Sequence, residues 1–67
     1  MSDGERILLE RRRRGLKAYK LGAAAGIAPS ILSAIERGER TATFEQRLAL
    51  ARALGVEPET LFQRVTP

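Results

Sequence analysis

The side chains whose types and spacing suggest chemistry are two clusters of cations and a pair of hydroxyls. Arg11, Arg12, Arg13 and Arg14 are consecutive, Lys17 and Lys20 follow, and Arg37 and Arg40 come after a short apolar segment that carries Ser30 and Ser33. Fixed cations of this kind suit the phosphates of a polyanion. Hydroxyls bond base edges or backbone groups. Catalysis is a poor fit. The sequence has no His and no Cys, which removes the imidazole base, the thiolate nucleophile, the disulfide and the usual zinc ligands. A serine–lysine dyad built from Ser30 or Ser33 with Lys17 or Lys20 needs a walled, desolvated pocket. A chain of 67 residues has too little interior to provide one. No enzyme activity, metal, cofactor or small-molecule effector is expected.

The charge is unevenly placed. The formal net charge is +4. Residues 1–40 carry nine Lys/Arg against five Asp/Glu, whereas residues 41–67 carry three of each. A one-sided basic excess is the electrostatic footprint of a polyanion partner. No apolar run approaches the ~20 residues of a membrane span. The first helix has a short apolar face that Glu10 interrupts, which argues against lying on a membrane. The opening residues Met1 to Glu5 lack the basic start and apolar segment of a signal peptide. A single cytoplasmic domain over residues 1–67 is expected.

The elements that must position these groups are helical. Ser2 and Glu5 form an S-x-x-E capping box that opens a first helix. Ile7, Leu8 and Leu9 supply its apolar surface. Arg11 to Arg14 suit its C-terminus, where the helix dipole favours cations, so solvated dipole stabilisation and phosphate contact are both open readings for them. Gly15 stops it in the left-handed conformation. Leu16 to Ala25 reads as a second helix, closed by Gly26. Pro29 opens a third, which Gly38 ends. Thr43 and Gln46 form a T-x-x-Q box for a fourth helix, with Phe44, Leu48, Ala51 and Leu54 at helical spacing and Gly55 as its stop. Pro58 starts a short fifth helix with Leu61, Phe62 and Val65 as its apolar residues. Short connections and no strand period predict an all-α fold, one five-helix orthogonal bundle held by helix packing.

Within it, Ala18 to Arg37 reads as two short helices around a tight turn at Gly26. Leu21, Ala25, Ile27, Leu32 and Ile35 form the apolar set that fixes their crossing. Gly22, unfavourable by roughly 1 kcal/mol inside a helix, is expected to permit close approach. Such a pair holds its second helix outward at a size that fits a DNA major groove.

These residues, with Arg14-Gly15-Leu16, the segment Ile35-Glu36-Arg37-Gly38-Glu39-Arg40 and the segment Ala51-Arg52-Ala53-Leu54-Gly55-Val56, resemble the Cro/CI-like (XRE-type) helix-turn-helix family of phage repressors and bacterial regulators. The resemblance runs from about Glu5 to Phe62 and implies a lambda-repressor-like domain. It implies that the helix Pro29 to Glu36 is the recognition helix, with Pro29, Ser30, Ser33 and Ala34 facing base edges. Lys17 and Ala18 would stand at the start of the second helix, Ala18 where the family usually has Gln. Arg37, Arg40 and Thr41 would approach phosphates. Thr43 would leave backbone N–H groups free to meet another. Arg11 and Glu36 would form a semi-buried ion pair. Glu10 and Arg47 stand where Leu is common, and the recognition helix holds none of the Arg, Asn or Gln readers of base edges.

Two readings follow. The first is a transcriptional regulator, a repressor, that binds a pseudo-palindromic operator of double-stranded DNA as a homodimer. Its dimer contact is expected near Gly55 to Phe62 and the tail through Val65. The alternative is a protein-binding module on the same fold, antitoxin-like or anti-repressor, with weak or no sequence-specific DNA binding. A steep loss of DNA affinity with salt separates the first from the second.

Overall fold

Helix starts and stops follow the local chemistry closely. The computed structural model describes residues 2–62, and these form five helices: α1 (Asp3–Arg13), α2 (Ala18–Ala25), α3 (Pro29–Glu36), α4 (Phe44–Leu54) and α5 (Pro58–Leu61). Both capping boxes are present. The Ser2 hydroxyl accepts from the Glu5 N–H at 3.1 Å while the Ser2 N–H donates to Glu5 Oε1 at 2.9 Å. Thr43 and Gln46 repeat the arrangement at 3.1 and 2.9 Å. Pro29 and Pro58 occupy the first turns of α3 and α5, where a missing N–H costs nothing.

The turn between α2 and α3 depends on Gly26, at φ 69°, a conformation that L side chains rarely adopt. There the Ile27 N–H donates back to the Gly22 carbonyl at 2.8 Å, and the Gly26 N–H to Ala23 at 3.3 Å. This pair of bonds is the Schellman arrangement. It recurs after α1, α3 and α4, where Leu16, Glu39 and Val56 donate to carbonyls five residues back. The α2 helix begins at Ala18 rather than Leu16. The Leu16 N–H closes the end of α1 on the Arg11 carbonyl at 3.0 Å, and its own carbonyl accepts from Arg11 Nη1 at 2.9 Å. Leu16 is therefore fixed to α1 before α2 can start.

The core gathers Ile7, Leu21, Ile27, Leu32, Ile35, Ala42, Leu50, Ala51, Leu54, Leu61 and Phe62. Ala25 packs against it from a half-buried position. In α4 the buried residues are Leu50, Ala51 and Leu54, while Phe44 and Leu48 are only half-buried. In α1, Ile7 alone of its three apolar residues is buried, and Leu9 remains 46% exposed. Leu61 and Phe62 lie inside the chain's own core, so they are not free for the expected dimer contact. Gly55, Glu57, Glu59 and Thr60, also within that expectation, are exposed, and Val65 lies outside the described residues. The guanidinium of Arg47 stands over the Phe62 ring, 5.9 Å from its centroid. Its long side chain covers the apolar surface that Leu would cover. Among the described residues no single helix is long and apolar enough to cross a membrane.

Candidate nucleic-acid interface

The axes of α2 and α3 are bent by 108°, within the range of helix-turn-helix pairs. Glycine makes this crossing possible. A Cβ on Gly22 would lie 2.5 Å from the Ile27 carbonyl oxygen, so the close approach is to the turn between the helices rather than to α3 itself. A second glycine matters as much and was not visible as such in the sequence. A Cβ on Gly4 would meet the Glu36 carbonyl oxygen at 2.8 Å and that of Ile35 closer still. The start of α1 therefore rests directly on the end of α3.

A buried ion pair completes this attachment. Arg11 Nε donates to Glu36 Oε2 at 2.8 Å and Arg11 Nη2 to Oε1 at 3.2 Å. The two side chains are 13% and 8% exposed. With its third bond to Leu16, Arg11 links α1, the α1–α2 connection and α3. A two-pronged bond between planar groups fixes direction as well as distance. It sets the orientation of α3 in the molecule.

The remaining α1 arginines divide by partner. Arg13 reaches Glu10 Oε1 at 2.9 Å, Arg14 also pairs with Glu10, and Arg6 lies 3.5 Å from Asp3. Glu10 thus anchors two surface cations at the helix end. Arg12 has no carboxylate partner among the described residues.

The outward side of α3 is narrower than the sequence suggests. Pro29 and Ser30 are exposed, as are Lys17, Arg37, Arg40, Thr41 and Thr43. Ser33 and Ala34 are half-buried. Ile31 and Ala18 pack against the core. What Ala18 offers outward is therefore its backbone N–H. Arg37 is exposed but engaged: its Nε and Nη2 donate to the two Glu39 carboxylate oxygens at 3.0 and 2.9 Å. Those hydrogen bonds, and then the charge, hold Glu39 below its ordinary pKa and raise that of Arg37.

The four long helices differ in how they treat their N-termini. α1 and α4 carry capping boxes and acids in the first turn, Asp3 and Glu5 in one and Glu45 in the other. α2 and α3 have neither a side-chain cap nor a first-turn acid. The N–H groups of Ala18, Tyr19, Ser30 and Ile31 have no protein partner among the described residues. A helix start of this kind presents bare N–H groups and the positive end of the dipole, which suits a phosphate oxygen. At Thr43 the N–H groups of Phe44 and Glu45 are likewise without a protein partner among the described residues. The capping box there uses the N–H groups of Thr43 and Gln46, and Glu45 adds a negative charge beside them.

A helix-turn-helix family model matches residues 7–61. The chain belongs to the helix-turn-helix family, of the Cro/CI-like type. Solved structures agree over most of its length. The restriction-modification controller protein C.AhdI from Aeromonas hydrophila is 35% identical, with 90% of this chain and 91% of that one covered and a TM-score of 0.87. The P22 c2 repressor, solved with a synthetic operator, is 32% identical over 94% of this chain and 96% of that one, with a TM-score of 0.88. SinR, a master regulator of biofilm formation solved with DNA, is 33% identical over 88% and 98%, with a TM-score of 0.81. No curated protein gives a significant match. The fold of this helix-turn-helix protein is thus the lambda-repressor-like bundle.

Proposed function

We propose that this helix-turn-helix protein is a DNA-binding transcriptional repressor in the cytoplasm, with no enzymatic role of its own. In this reading it binds a pseudo-palindromic operator as a homodimer, with α3 in the major groove. The observation that carries the reading is the pair of uncapped, acid-free N-termini on α2 and α3, the two helices of the motif, in a family whose solved relatives include DNA complexes. The Ala18 and Tyr19 N–H groups then meet one phosphate, with Lys17 beside it. Arg37, Arg40 and Thr41 approach the strand beyond α3. At Thr43 the open N–H groups of Phe44 and Glu45 face a further phosphate less favourably, because Glu45 places a negative charge beside them.

Base reading falls to few groups. Ser30 and, more deeply set, Ser33 bond base edges. Pro29 and Ala34 suit thymine methyls. With so few readers, sequence-dependent DNA shape carries a large share of selectivity. Selection from random duplexes tests the proposal. It predicts a symmetric enriched motif with half-sites one helical turn, about 10 base pairs, apart. Enrichment of no motif, with no binding at low salt, contradicts it. That outcome favours the alternative, a protein-binding module on the same fold, which the sparse polar surface of α3 also suits.

A further inference from the structure

Among the described residues, one face of α1 takes part neither in the core nor in the interface described above. Glu5, Leu8, Leu9 and Arg12 recur at helical spacing and lie within one narrow stripe. They line a shallow depression of about 200 Å³ to which no other element contributes among the described residues. Leu9 is 46% exposed and Leu8 half-buried. The two ends of the stripe carry opposite charges, and both lack a charged side-chain partner. Among the described residues, Arg12 is the α1 arginine with no carboxylate, and Glu5 is the α1 acid with no side-chain cation. Glu5 Oε1 accepts from the Ser2 N–H, which leaves Oε2 to accept elsewhere. Seven residues of helix separate Glu5 from Arg12, about 10 Å, too far to pair within the helix.

We propose that this stripe docks on the same stripe of a second copy of the chain. With the two α1 helices antiparallel across a two-fold axis between Leu8 and Leu9, residue 5 faces residue 12 of the other copy, and residue 8 faces residue 9. Both charge pairs and the leucine contact are then satisfied at once, as a self-complementary two-fold interface requires. Two helical turns bury much less than the roughly 1,200 Å² of a stable complex, so the contact is a weak one. It concerns the DNA-free chain and does not rest on the operator reading.

Sedimentation of the DNA-free protein from micromolar to millimolar concentration tests it. The wild type should associate weakly. Arg12→Glu, with acids at both ends, and Glu5→Arg, with cations at both ends, should each associate about tenfold less or weaker. An equimolar mixture of the two should recover association. Glu5→Arg also removes the α1 capping box, so Leu9→Lys and dilution-dependent NMR shifts of the wild type provide a second readout. Shift changes confined to residues 5, 8, 9 and 12, lost in Leu9→Lys, support the proposal. A monomeric wild type, as expected if the chain's own last residues cover the stripe, overturns it. So does association unchanged in Arg12→Glu and Leu9→Lys.

Discussion

Glu36 and Arg37 are neighbours in sequence, and each sits in a two-pronged Arg–Glu pair. The inner pair, Arg11–Glu36, has bonds of 2.8 and 3.2 Å, and the outer pair, Arg37–Glu39, has bonds of 3.0 and 2.9 Å. By geometry alone they are equivalent. They differ in solvent: side chains 13% and 8% exposed in the first, 58% and 60% in the second. Burial decides what each pair is for. The inner one cannot lose a partner without leaving a charge stranded in the interior. The outer one exchanges freely with water and salt and contributes little to stability. The inner pair therefore fixes α3, while the outer pair leaves Arg37 able to trade a carboxylate for a phosphate.

The contrast is sharpest on the inner side. Glu36→Ala is expected to cost about 3–5 kcal/mol, a large fraction of the stability of a domain this small. Thermal melting followed by circular dichroism reads it. Replacing both partners, Arg11→Met with Glu36→Leu, should recover much of the loss, because no buried charge then remains unpaired. A melt of Glu36→Ala equal to wild type would remove the distinction between the pairs.

The next effect tests the backbone contact beside the inner pair. Gly4→Ala places a methyl against the Ile35 and Glu36 carbonyls and should destabilise by about 1–3 kcal/mol, although Ala favours a helix over Gly. Chemical denaturation measures it. A stabilised variant would show that α1 moves away from α3 at no cost.

Capping extends the comparison to whole helices. Ala28→Ser supplies the cap that α3 lacks and should add about 1 kcal/mol. It should also weaken DNA binding, since the new hydroxyl competes with phosphate for the same N–H groups. Stability and affinity rising together would count against an open α3 terminus as a phosphate site.

The smallest effect concerns pH. Hydrogen bonds from Ser2 hold the Glu5 carboxylate below its ordinary pKa. A depressed folded-state pKa gives stability that is present above the unfolded pKa and lost as pH falls through the folded one. Wild type should therefore melt above Glu5→Gln at neutral pH and converge with it in acid. A constant gap across that range excludes ionisation of Glu5 as the cause.

Most of the fold was legible because its signals are local. Ser2 with Glu5, Thr43 with Gln46, Pro29 and the terminating glycines each act within a few residues, so type and spacing suffice. Glu10 pairs with Arg13 and Arg14 at the equally local spacings of three and four, but the sequence showed there only a departure from Leu. Long-range features were harder to see. Gly4 looked like filler inside a capping box, yet its role comes from carbonyls more than thirty residues away. α4 is apolar around most of its circumference, so period alone favoured Phe44 and Leu48 over Leu50. The Arg11–Glu36 pair was expected through family resemblance, not spacing. Arg37–Glu39 spans a turn for which no pairing rule exists. The sequence placed Arg37 correctly on the surface but not its occupied state.

The central claim is that a fixed α3 presents Arg37 to DNA while Arg37 itself holds nothing together. The direct measurement is the salt dependence of binding to a selected duplex, for wild type and Arg37→Ala, with melting curves of both. The account predicts superimposable melts, lower affinity for the variant, and a slope of log K against log salt reduced by about one unit. Equal affinity and equal slope, or a variant that melts well below wild type, would contradict it.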